Sequence, residues 1–213
     1  MRSPGKEFVG EILEGVGAPL LAAGFRRRRS SIYTLDLMPD VLGWVGLNQA
    51  TRRGDGKLWL NPMVGVRHQG VEAAWSRLAG EAPHRYFPPT LVANVGDLGA
   101  RRTYREWSFA EGRDNSPAIA AVARAVLTSG LAFMRATTSL QAMRRVAREL
   151  MVGEYLLFRL PLLFALDGDE LRARTTLERD LARTKRRDDD AIQEYRRFAA
   201  RYLRELRRDG RRR

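Results

Sequence analysis

Near residue 113 the spacing of apolar residues changes from two to a mixture of three and four, and this change constrains the fold more than any other feature. A period of two marks strands, whose side chains alternate between faces, whereas 3.6 marks helices. Before the change, Tyr33, Leu35 and Leu37 alternate with Ile32, Thr34 and Asp36. The segment "VLGWVGLNQA" follows from Val41, and the corner "RRGDG" closes a hairpin onto "KLWLNPMVGVRH" from Lys57. Pro62 predicts that this third strand is bulged or at an edge, because proline donates nothing to a ladder. Val71, Ala74, Trp75 and Leu78 mark a short helix, and "TLVANVG" and "TYREWSFA" two further strands. After the change, Ser116 is expected to cap a helix with Pro117 at its first position. Ile119, Val122, Val126 and Met134 would form its inner face. Leu140, Met143, Val146 and Leu150 mark a second helix, and the apolar run from Tyr155 to Leu166 reads as a buried third. Asp167 or Asp169 opens a fourth, and the last begins near Asp190. The pattern predicts an α+β fold: an antiparallel sheet of about five strands flanked by helices, followed by a helical C-terminal part. The expected division is a sheet region, 1–112, and a helical region, 113–213, packed on it as one unit, with a basic tail over 207–213.

The first helix is expected over residues 6–23, with Phe8, Ile12, Val16 and Leu20 on one face and Pro19 bending or restarting it. Gly24 then takes the left-handed position that ends a helix, and Phe25 packs back on the last turn. Four arginines, Arg26 to Arg29, follow at once. Alternation in a strand prevents all four from serving one ligand surface, and positive charge is favoured beyond a helix C-terminus. The run is therefore expected to be a solvated corner. The order of helix, "AGF", basic residues, "SIYTLDL", "VGLNQA" and "LWLNPMVGV" resembles a bacterial family of unknown function, the domain-of-unknown-function family numbered 4304. Gly24, Phe25, Gln49, Trp59 and Asn61 carry the resemblance, which spans residues 8 to 110. It implies a fold and a bacterial, cytoplasmic setting, and no assigned activity.

Chemistry is narrowed by what the chain contains. With no cysteine among 213 residues there is no disulfide and no thiolate metal site, which suits a reducing compartment. The N-terminal residues do not read as a secretory signal, and the Tyr155–Leu166 run is shorter than the ~20 residues a bilayer requires. His68 and His84 are too few for a zinc site of nitrogen and sulfur, and no G-x-S-x-G, G-x-G-x-x-G or Walker loop occurs. "DGDE" from Asp167 reads as helix capping rather than a calcium loop. Asp40, Asp55 and Lys57 resemble the carboxylate and lysine signature of a large nuclease superfamily. Their convergence on a metal is opposed by their placement at opposite ends of a hairpin strand, ~30 Å apart at ~3.3 Å per residue. Trp44, Trp59, Trp75 and Trp107 could stack bases, but aromatics on strands normally fill the core. No cofactor is implied.

The net charge of +13 favours anionic partners, although the predominance of arginine over lysine also fits a high-GC genome. Residues 172–213 hold 16 basic and 8 acidic side chains, a large share of that excess. In the last helix Ile192, Tyr195, Ala199, Tyr202 and Leu206 repeat at three and four, and Arg197, Arg201, Arg204 and Arg208 repeat on the opposite side. Glu194 and Glu205 are placed to pair with Arg197 and Arg201. These four arginines are the candidate anion- or partner-binding residues. The reading is a non-catalytic bacterial protein acting in the cytoplasm through protein–protein contacts, an immunity or defence-type accessory being one such role, with no membrane partner. The alternative is a nucleic-acid-binding accessory using the arginine row, and the third a metal-dependent nuclease.

Overall fold

The computed structural model describes residues 4–50, 55–99, 101–150 and 154–209. The chain has an antiparallel sheet with flanking helices and a helical C-terminal part, an α+β fold. It divides into two compact units, one of residues 1–67 with 92–136 and one of 68–91 with 137–213. The change of period at 113 thus falls inside the first unit, and neither unit is one continuous stretch.

In the first unit α1 (Lys6–Ala22) buries Ile12, Leu13, Val16 and Leu20, while Phe8 is half-buried. The helix runs through Pro19 without restarting. Gly24 has φ +92°, the left-handed region, and the amides of Gly24 and Phe25 donate to the carbonyls of Leu21 and Leu20 at 3.0 and 3.1 Å. This double closure satisfies two carbonyls that the helix end leaves open, and Phe25 is buried as expected.

The sheet order is β1 (Arg26–Arg29), β2 (Ile32–Met38), β3 (Val41–Ala50), β4 (Leu58–His68) and β5 (Leu91–Asn94), and β6 (Trp107–Phe109) also pairs with β4. β4 therefore has neighbours on both sides, so Pro62 does not mark an edge strand. It lies just past Leu58, Trp59 and Leu60, the residues that pair with β6. β5 and β6 are shorter than expected, because a 3-10 turn (Val95–Leu98) follows β5 and residues 101–106 form a loop.

α3 (Ser116–Ala125), a π turn (Val126–Gly130) and α4 (Leu131–Ala136) make one helical run. Its cap is Asn115, one residue earlier than the sequence predicts, and the Asp114 carboxylate accepts from the Ser116 amide at 2.9 Å. By length and composition alone this run could cross a membrane. Here Val122, Ala123, Val126, Gly130 and Met134 are buried in the unit, with Gly130 against Val64 and Met134 against Gly43.

The second unit gathers α2 (Gln69–Ala79), α5 (Leu140–Leu150), α6 (Glu154–Leu166), α7 (Glu170–Arg183) and α8 (Asp190–Asp209). α6 is buried from Leu157 to Phe164, as its all-round apolar sequence requires. Phe158 packs edge-on to Tyr195 and Phe198 of α8, at 5.5 and 5.1 Å between ring centres. Arg159, in the middle of α6, meets Glu72 of α2 at 2.9 Å, and both side chains are almost wholly buried. The Thr90 hydroxyl donates to the same carboxylate at 2.9 Å, and the Arg159 guanidinium lies over the rings of Trp75 and Tyr155. Each charge is thus hydrogen-bonded, the condition for keeping an ion pair out of water.

Candidate functional site: arginine surfaces

Asp189 supplies the start of α8. Its carboxylate accepts from the Ile192 amide at 3.2 Å and from Arg187 at 2.9 Å, and the Arg187 bond chiefly holds its pKa below the usual carboxylate range. Ile192, Tyr195, Ala199, Tyr202 and Leu206 are all buried, as the stripe predicts. Phe198 is buried beside them, one apolar position the reading missed. The burial of Tyr195 and Tyr202 pushes both phenols well up from their ordinary values.

Arg197, Arg201, Arg204 and Arg208 all stand exposed on the outer side. They are not equivalent. Arg201 donates to the Leu78 carbonyl at 2.9 Å, helping to close α2. Glu205 pairs with Arg77 rather than with Arg201. Among the described residues, Arg197, Arg204 and Arg208 have no ion-pair or hydrogen-bond partner. Arg196, which the sequence reading did not single out, donates to the carbonyls of Thr184, Lys185 and Arg187 and so caps α7.

The run Arg26–Arg29 is not a corner but the outermost strand of the sheet, with all four side chains exposed. Arg26 pairs with Asp36 at 3.0 Å, and Arg28 donates to the Thr34 hydroxyl at 2.9 Å. An edge strand offers unpaired backbone groups to any other strand, and a row of like charges repels such a partner. The solvated character of the run holds, and its position gives it a role.

The nuclease-like residues stay apart in the fold. Asp40 lies in the turn before β3, whereas Asp55 and Lys57 precede β4, so β3 runs between the two groups. The Asp55 carboxylate accepts from the Lys57 amide and the Trp59 indole, both at 3.1 Å, and the amide bond chiefly lowers its pKa. No cluster of three metal-ligating side chains occurs among the described residues. Trp44 and Trp107 are buried, as the core reading predicts, and Trp59 and Trp75 are half-buried. Asp169 caps α7 through the Arg172 amide at 3.0 Å, which accounts for "DGDE".

A second arginine surface was not foreseen. In the first unit Arg101, Arg105 and Arg124 line a cleft of about 510 Å³ with Thr103, Thr128 and Ser129. They come from a loop and a helix some twenty residues apart, so no local spacing announces them. The family likeness of Gly24, Phe25, Gln49, Trp59 and Asn61 rests on those residues alone, for comparison with protein-family models, curated proteins and solved structures finds no match.

Proposed function

We propose that the protein works by binding rather than catalysis, and that the exposed face of α8 docks an acidic surface of another protein. The observation that carries this reading is the state of Arg197, Arg204 and Arg208: exposed, and unpaired among the described residues, on a helix whose opposite face is buried. A helix held by its apolar face presents these side chains at little cost in backbone order, which favours complementary charge in an encounter. Glu194 is exposed on the same helix, and Asp188 and Asp190 stand exposed at its start. A mixed-sign face matches another protein surface better than a phosphate backbone, which is negative throughout. Likeness to the family numbered 4304, with its bacterial cytoplasmic setting, is part of this proposal.

The test places a photo-crosslinking residue at Glu194 and identifies the attached protein, then measures binding of the purified pair. The triple variant Arg197→Gln, Arg204→Gln, Arg208→Gln should lose that binding while circular dichroism stays unchanged. Nucleic acid is the second reading, favoured by the regular spacing of the row. Three phosphate contacts at roughly 0.9 each would give a salt slope of about −2.7 on duplex DNA. A slope of that size in the wild type, flattened in the triple variant, would replace the protein partner with nucleic acid. Weak binding at low salt decides nothing for a chain of charge +13.

A further inference from the structure

We infer that the cleft lined by Arg101, Arg105 and Arg124 is a binding site for a small molecule carrying a phosphate or pyrophosphate group. Three arginines line a cleft of about 510 Å³, a size suited to a small ligand. Among the described residues no acidic side chain lines it, and none of the three arginines has an ion-pair partner. Like charges gathered around one cleft repel until an anion joins them, and a guanidinium fork matches phosphate oxygens two at a time.

One wall is built to hold its shape. Asn94, almost fully buried, accepts from the amides of Gly96 and Arg105 at 2.8 and 3.0 Å, and donates to the Arg105 carbonyl at 3.0 Å and the Asn61 side chain at 2.7 Å. This clamp ties the 3-10 turn after β5 to the loop that carries Arg105. The two segments approach so closely that a Cβ at position 96 would fall 2.2 Å from the Thr103 carbonyl oxygen, so glycine is required. Arg105 then lies over the Trp107 ring, 4.6 Å from its centre, a cation–π contact that restrains its side chain. The opposite wall is α3 and the π turn, a geometry frequent at functional sites. Ala121, Arg124, Ala125 and Ser129 line the cleft from this side. Thr128 donates to the Arg124 carbonyl at 2.7 Å, whereas the exposed Ser129 hydroxyl has no partner among the described residues and can donate to a ligand oxygen.

The site lies in the first unit and is independent of the α8 proposal, which concerns the second. Inorganic pyrophosphate is the probe, followed by calorimetry at moderate salt, with a single-stranded oligonucleotide as the second arm. One-to-one pyrophosphate binding that weakens at least about tenfold in Arg105→Gln and again in Arg124→Gln is the expected result. Arg105→Lys keeps the charge but not the fork, and should recover only part of the affinity. All three positions are exposed, so the variants should melt as the wild type does, and the α8 triple variant should bind pyrophosphate unchanged. Should only the oligonucleotide bind, and the cleft variants weaken it, the phosphate chemistry stands but its source is a polymer, which overturns the small-molecule assignment. Binding of both probes that ignores the cleft variants, or no binding of either, overturns the site.

Discussion

Removing one partner of the Glu72–Arg159 pair strands a charge where water does not reach, since both side chains are almost wholly buried. Glu72→Ala should therefore destabilise the second unit by about 3–5 kcal/mol, measured as a lower denaturant midpoint. Changing both residues to Met should recover most of that loss, because the apolar stem still fills the space over Trp75 and Tyr155. If the double change is as damaging as the single one, the pair contributes more than mutual neutralisation. Gly24 offers a cleaner case. At φ +92° a β-branched side chain is strongly disfavoured, so Gly24→Val should cost more than ~1 kcal/mol and lower the melting temperature. This residue was readable in the sequence, since an apolar helical stripe ending in "AGF" has few other solutions. Glu72 was not, because nothing local to α2 announces a cation 87 residues further on.

At the scale of elements, β1 makes a prediction about solubility rather than stability. Its four arginines form three pairings with β2 and otherwise face solvent, so the change of Arg27 and Arg29 to Thr should leave the melting temperature nearly unaltered. The same variant should aggregate faster on mild heating, followed by light scattering, because the edge loses the charge that repels a second strand. The start of α8 responds to pH instead. Asp189 has a depressed pKa in the fold, so its contribution is full above the unfolded carboxylate value of ~3.9 and is lost as pH falls through the lower folded value. Asp189→Asn keeps an acceptor for Ile192 and removes the titration. Melting temperatures of the two proteins should therefore differ in favour of the wild type above about pH 5 and converge as pH falls through the lower folded value. The stripes of α1 and α8 were legible from their spacing, and the end of α1 and the starts of α7 and α8 because each is written in two or three adjacent residues, although Asp167 and Asp169 were both open as the start of α7. The π turn at Val126–Gly130 was not, for one inserted residue leaves the apolar spacing of Val122, Val126 and Met134 intact. β5 and β6 were overextended for a related reason: alternation continues into residues whose backbone is instead held by Asn94. The α8 arginines were found by periodicity, whereas the Arg101–Arg105–Arg124 cleft exists only once separate elements meet.

For the whole molecule, the division into 1–67 with 92–136 and 68–91 with 137–213 makes a cut at 112 damaging to both units. A fragment of residues 1–112 lacks α3, the π turn and α4, which bury Val122, Val126 and Met134. Its complement, 113–213, lacks α2 and with it Glu72. Neither fragment should show a cooperative thermal transition, followed by circular dichroism; a sharp melt in either would count against this division. The Glu72–Arg159 pair carries the same interleaving into the time of synthesis. At ~5–20 residues per second, roughly 4–17 s separate the emergence of the two ends of that pair from a ribosome. Through that interval α2 has its charge and its apolar residues Val71 and Leu78 made but no α6 to bury them. The second unit thus cannot close this pair until α6 is made, and through that interval α2 is open to a chaperone.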